Sequence, residues 1–333
     1  MCLKIYRFVF FLFVPALFVR CADDLEDAPE LRLTRFEQEF FALDTSRLAE
    51  QLPAFIEKHP LMAPLFLGEL IRDRSNPEET PLEAAYFFLT EPQLRALYDT
   101  VQQAYGRADW LERDLRRMFR EYRRHFPDRP VPEVATIVSA FATDAFTYGD
   151  SLCGIGLDMF LGQNFRGYDP EVYPEYIRRQ FRQEYMVPRL ARALAQQIVG
   201  DPPAGGRLID YMLHMGKAMY ITEKLLPRAP QELLMGYTKE QITGCQANER
   251  ESWARLLEQN LLYSTDYRKF QKLISPSPNA PILFDEAPGE IGVWIGWRIV
   301  SAWARRHPEA DMRQLIEERD SQKLLRESRY QPR

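Results

Sequence analysis

The chain has 333 residues and a formal net charge of -5, long enough for one large domain or two ordinary ones and for a sizeable core. Its hydrophobic fraction of 46%, with 13% aromatic residues, describes a folded globular protein and excludes a disordered one. The acidic balance lacks the basic footprint of a nucleic-acid binder, so no nucleic-acid partner is expected.

Lys4 and Arg7 precede FVFFLFVPALFV, residues 8–19, a run with the length of a signal-peptide core and too short to span a bilayer. Residues 1–20 therefore read as a signal peptide. Cys21 directly after such a core is the lipoprotein arrangement, in which the thiol takes a lipid and becomes the first residue of the mature chain. Residues 21–33 read as that cysteine and an acidic tether, ADDLEDAPE. Arg20 stands where signal peptidases prefer a small residue, so the alternatives are a secretory signal cut elsewhere or a short uncleaved anchor. Two further cysteines, Cys153 and Cys245, read as buried thiols. With four histidines and no cysteine pair at metal spacing, no structural zinc site and no cofactor are expected.

LRLTRF is a short candidate strand, and from Asp44 the pattern turns helical, through DTSRLAEQLPAFIEK and MAPLFLGELIRD. In RADWLERDLRRMFREYRRHFP, Leu111, Leu115, Met118, Phe119 and Tyr122 form one stripe. The arginines opposite, among them Arg116, Arg120 and Arg123, read as a solvated face or as a partner contact. EVATIVSAF then has strand composition, and FTYGDSLCGIGLDMFLG reads as its hairpin partner, turning at Gly149-Asp150. CGIGLDMFLG resembles a phosphate loop only superficially, because a dinucleotide fingerprint needs a third glycine three residues after Gly156. Its alternation is that of a half-buried strand with thin glycine positions. Asp158, the acid on that strand, is expected to face water at a cleft rim.

Helices resume to the end, with Pro188 expected to kink or break one of them. RLIDYMLHMGKAMYITEKLL is apolar on two faces and so central to the core, while Asp210, His214 and Lys217 stand at i, i+4 and i+7 on the remaining stripe. They read as a solvated edge or as the floor of a cleft, to which Glu249 and Glu251 are further candidates. Gly216, costly inside a helix, implies close approach of another backbone. Trp294, Trp297 and Trp303 read as core. The fold class is α+β, mostly α, with helices around a small antiparallel sheet.

GIGLDMFLG, YMLHMGKAMY, TKEQITGCQANERESW, LLYSTD, APGEIGVWIGWRIVSAW and LLRESRYQP occur in this order. Together they resemble the gliding motility lipoprotein GldB family over roughly residues 34–333, implying a single globular domain there. The resemblance implies an exported, lipid-anchored protein of the cell envelope, at the outer membrane or cell surface. Its implied partners are the proteins of the gliding motility and secretion machinery, and no catalytic activity is attached.

The layout is also similar, more distantly, to zinc metallopeptidases with two helical histidines and an intervening glutamate base, which implies a zincin-like core. There an edge strand precedes the active-site helix. The equivalent window here, Asp210 to His214, keeps one histidine and holds Tyr211 at the base position. A phenol, with an ordinary pKa of about 10, does not take a proton from water at neutral pH. Asp210, His214 and Glu249 or Glu251 leave zinc binding open in principle. A non-catalytic lipoprotein without metal is the expectation, and an atypical metal-dependent hydrolase of the envelope the alternative.

Overall fold

The computed structural model describes residues 28–332; the expected signal peptide, Cys21 and most of the acidic tether lie outside the described residues. Four short strands form one sheet in the order β1-β2-β4-β3. They are β1 Leu33–Arg35, β2 Glu133–Ile137, β3 Ala145–Tyr148 and β4 Leu152–Gly156. β1 and β2 pair in parallel, β2 and β4 pair in parallel, and β3 returns antiparallel to β4.

The sheet is therefore mixed rather than antiparallel. The long helical excursion between β1 and β2 is the kind of crossover that parallel pairing requires. The hairpin does turn at Gly149, whose φ is +54°, but it joins β3 to β4. β2 is not its partner by hairpin; it lies parallel to β4, with Ala135 opposite Gly154. β4 is consequently an interior strand and not an edge, and it ends at Gly156. Leu157–Phe160 continues as a 3-10 turn.

Helices make up most of the remaining chain. Asp109–His125 buries the expected stripe, with Leu111, Leu115, Met118, Phe119 and Tyr122 at most 2% exposed. The first helices close a cluster of phenylalanine rings, in which Phe36 and Phe40 each stand 5.1 Å from Phe66. Met186–Val199 is the helix that lies against β3 and β4, and Leu208–Leu225 packs on it in turn.

Pro188 does not kink a long helix, because it occupies the third position of Met186–Val199. An amide there would have no acceptor within the helix, so proline is tolerated. The interruption comes earlier, between the short helix Glu175–Arg178 and the 3-10 turn Gln183–Tyr185.

Leu208–Leu225 and Ile291–Arg306 cross where Gly216 meets Gly296. A Cβ at Gly216 would overlap the Gly296 carbonyl, and one at Gly296 would overlap that of Met212. The close approach implied by Gly216 is thus realised against a second glycine. Trp294, Trp297 and Trp303 are buried on Ile291–Arg306, and Cys153 and Cys245 are buried free thiols.

Candidate functional site

The stripe on Leu208–Leu225 reaches three separate partners. Asp210, in the first turn, accepts from the Arg207 N–H and Nε at 2.9 Å and from its Nη2 at 2.8 Å. Burial opposes its charge, but the Arg207 hydrogen bonds outweigh this and hold the carboxyl below its usual range. His214 donates from Nε2 to the Gly200 carbonyl at 3.0 Å, and burial pulls its pKa down, favouring the neutral ring. Lys217 is buried and donates to the carbonyls of Ile316, at 3.4 Å, and Glu318. These close the helix Met312–Glu317, whose last carbonyls attract a cation. Burial lowers the lysine to about 8, aided by the nearby Arg319 charge.

Of the three, His214 lines a hollow of about 820 Å³ between β3 and the central helix. Ala145, Phe146 and Thr147 form its strand side, and Tyr211, Met215 and Tyr267 face them. A smaller polar hollow of about 290 Å³ adjoins it through Ala145, Ala193, Gln196 and Met215. Here Arg192 pairs with Glu290 at 2.5 Å, both nearly buried, and Arg189 pairs with Asp144. Sequence reasoning missed all four residues. Their partners lie far apart along the chain, and the one local signal is an acid placed directly before an apolar helix, at Glu290.

Asp158 does not face water. It is fully buried in the turn after β4, where Oδ1 accepts from the Ser139 N–H at 3.0 Å and Oδ2 from the Phe141 N–H at 2.6 Å. Burial raises its pKa to about 6 against the pull of these donors. The carboxylate thereby holds the loop after β2, in which Ala140 and Phe141 adopt positive φ values of 52° and 67°. That geometry is costly for residues with a Cβ and needs such support. The glycines of β4 serve the same neighbourhood. A Cβ at Gly154 would overlap the Phe146 ring, and one at Gly156 the Thr143 carbonyl.

Glu249 is buried against the Tyr330 hydroxyl at 2.7 Å and Arg298 Nε at 3.2 Å. Glu251 is exposed and pairs with Arg255 one turn on, at 2.5 Å. The candidate residues therefore occupy separate surroundings. Among the described residues, no group of three or more His, Cys, Asp or Glu side chains is placed to hold a metal ion.

A third concavity borders the arginine-rich helix. This apolar groove, of about 600 Å³, runs between Asp109–His125, the start of Met186–Val199 and the end of Leu208–Leu225. Trp110, Met118, Val187, Pro188, Leu226 and Leu233 line it, and Asp114, Arg117, Arg120, Glu121 and Arg228 rim it. Of the three arginines singled out on that helix, Arg120 borders the groove.

A mostly helical α+β body, with a small mixed sheet and several open hollows, is the class these observations define. The chain belongs to the gliding motility protein GldB family, whose family model matches residues 20–332. No curated protein and no solved structure matches it. Among the described residues no helix is long and apolar enough to cross a membrane.

Proposed function

We propose that this member of the gliding motility family is an exported lipoprotein, held at the envelope through Cys21, that supports motility and the associated secretion machinery by binding. Family membership over nearly the whole chain supports the motility role. The observation that carries binding is the apolar groove beside Arg120. Concave apolar surface with a charged rim is the usual form of a recognition site, and its walls come from three helices already fixed by the core. The Asp210 and Lys217 side chains, by contrast, are engaged by partners within the fold, Arg207 and the end of Met312–Glu317. In this reading the protein works without catalysis and without metal.

Site-specific photocrosslinking in the native envelope tests the reading. A photoreactive residue at Leu226, half-buried on the groove wall, is expected to capture a component of the motility or secretion machinery. The same group at exposed Glu258, away from the groove, is expected not to. Equal capture from both positions, or capture of no such component from Leu226, contradicts it.

A further inference from the structure

Ile291–Arg306 presents Arg298, Ala302, Arg305 and Arg306 at i, i+4, i+7 and i+8, which places them along one face. The helix Ser321–Ser328 ends beside this face, and Arg329 turns the chain with a φ of 46°. Ser328, Arg329 and Tyr330 are thereby brought against those arginines, and Glu249 joins from a third stretch.

Around the resulting hollow, of about 480 Å³, stand Arg298, Arg305, Arg306 and Arg329, with Glu249 as the carboxylate. Internal bonds fix its frame. Glu249 holds both Arg298 and the Tyr330 hydroxyl, and the Trp253 ring meets the Tyr330 ring edge-on at 5.2 Å. Arg306 Nε donates to the Ser328 carbonyl at 2.9 Å. Among the described residues, no carboxylate pairs with Arg305 or Arg329, and both are exposed. Four guanidinium groups against one carboxylate leave this hollow with an excess of positive charge, which attracts an anion.

We propose that this hollow is an oxyanion site for a phosphate group, supplied by a lipid headgroup or by free phosphate. A guanidinium offers a planar fork of donors that fits phosphate oxygens two at a time. Arg305 and Arg329 supply the forks, Arg298 and Arg306 add charge from fixed positions, and Ala302 keeps the floor open. The donors are guanidinium side chains, so the recognition is by side-chain charge. The site stands apart from the apolar groove and does not depend on whether Cys21 carries a lipid.

Calorimetric titration of the full chain with inorganic phosphate, at constant ionic strength, tests the site. Saturable binding is expected, weakened about tenfold or more by Arg305→Gln with Arg329→Gln, since charge-assisted hydrogen bonds are lost. Arg113→Gln with Arg123→Gln, exposed arginines on Asp109–His125, is expected to leave it unchanged. Both pairs should melt as the parent does, because all four side chains are exposed. Cosedimentation of the Cys21→Ser chain with phosphatidylcholine vesicles, with and without phosphatidylglycerol, separates the sources. Retention on the anionic vesicles that depends on Arg305 and Arg329, and that inorganic phosphate displaces, assigns a headgroup. Phosphate binding without retention assigns free phosphate. Absence of saturable phosphate binding, or equal weakening in the control pair, overturns the proposal.

Discussion

A carboxyl buried as fully as Asp158 must be held by donors or give up its charge. Here it meets two backbone N–H groups and the Ser139 hydroxyl, yet its pKa still lies at about 6, above the ordinary 3.8. The folded state therefore binds this proton more tightly than the unfolded chain. The stabilisation it provides is full below pH 3.8 and is lost as pH rises through about 6. The difference is on the order of 3 kcal/mol. Denaturant unfolding across this window should show a steeper loss in the parent than in Asp158→Asn, which cannot titrate. Identical slopes would contradict the assignment. Asp158→Ala should destabilise by about 2–4 kcal/mol, because the Ser139 and Phe141 N–H groups lose their acceptor. The alternation of apolar residues around Asp158 indicated a strand, but it carried no sign of a loop wrapped around the acid. That contact joins two segments through tertiary geometry.

Among elements, the crossing of Leu208–Leu225 with Ile291–Arg306 is set by two glycines, of which the sequence pattern marked Gly216. A methyl at either position meets backbone, which cannot swing aside as a side chain can. Gly216→Ala and Gly296→Ala should each cost about 3 kcal/mol or more, the upper range for overpacking, despite a helix-propensity gain of about 1 kcal/mol. Gly68 faces open space, so Gly68→Ala should be near neutral. Chemical denaturation of the three variants checks this, and a neutral Gly216→Ala would contradict the close crossing. The Asp109–His125 stripe and the turn at Gly149 were equally legible, since both are local patterns of period or turn chemistry. Strand partners were not. Whether β2 pairs with β4 in parallel depends on how the intervening loop and β3 reverse the chain, and composition does not encode that direction. The split at Asn248 between Lys239–Ala247 and Glu249–Glu258 was likewise hidden inside one continuous helical pattern.

At the scale of the whole molecule, the candidate residues stand on different contacts. Asp210 holds Arg207, Lys217 holds the end of Met312–Glu317, and Glu249 holds Arg298 and Tyr330. Arg207 stands one turn before Asp210, but the partners of Lys217 and Glu249 arrive from distant segments, which helical spacing does not show. In the function proposed above, the protein serves motility through a binding surface and an anchor. Complementation of a deletion strain, scored for surface motility and for export of secreted cargo, tests it most directly. Asp210→Ala, which removes a cap worth about 1 kcal/mol, should restore both once melting shows it folded. Leu226→Gln with Leu233→Gln on the groove wall, and Cys21→Ser, should each fail although folded. A folded, correctly anchored Asp210→Ala protein as defective as the deletion, beside a fully active groove variant, would contradict the account.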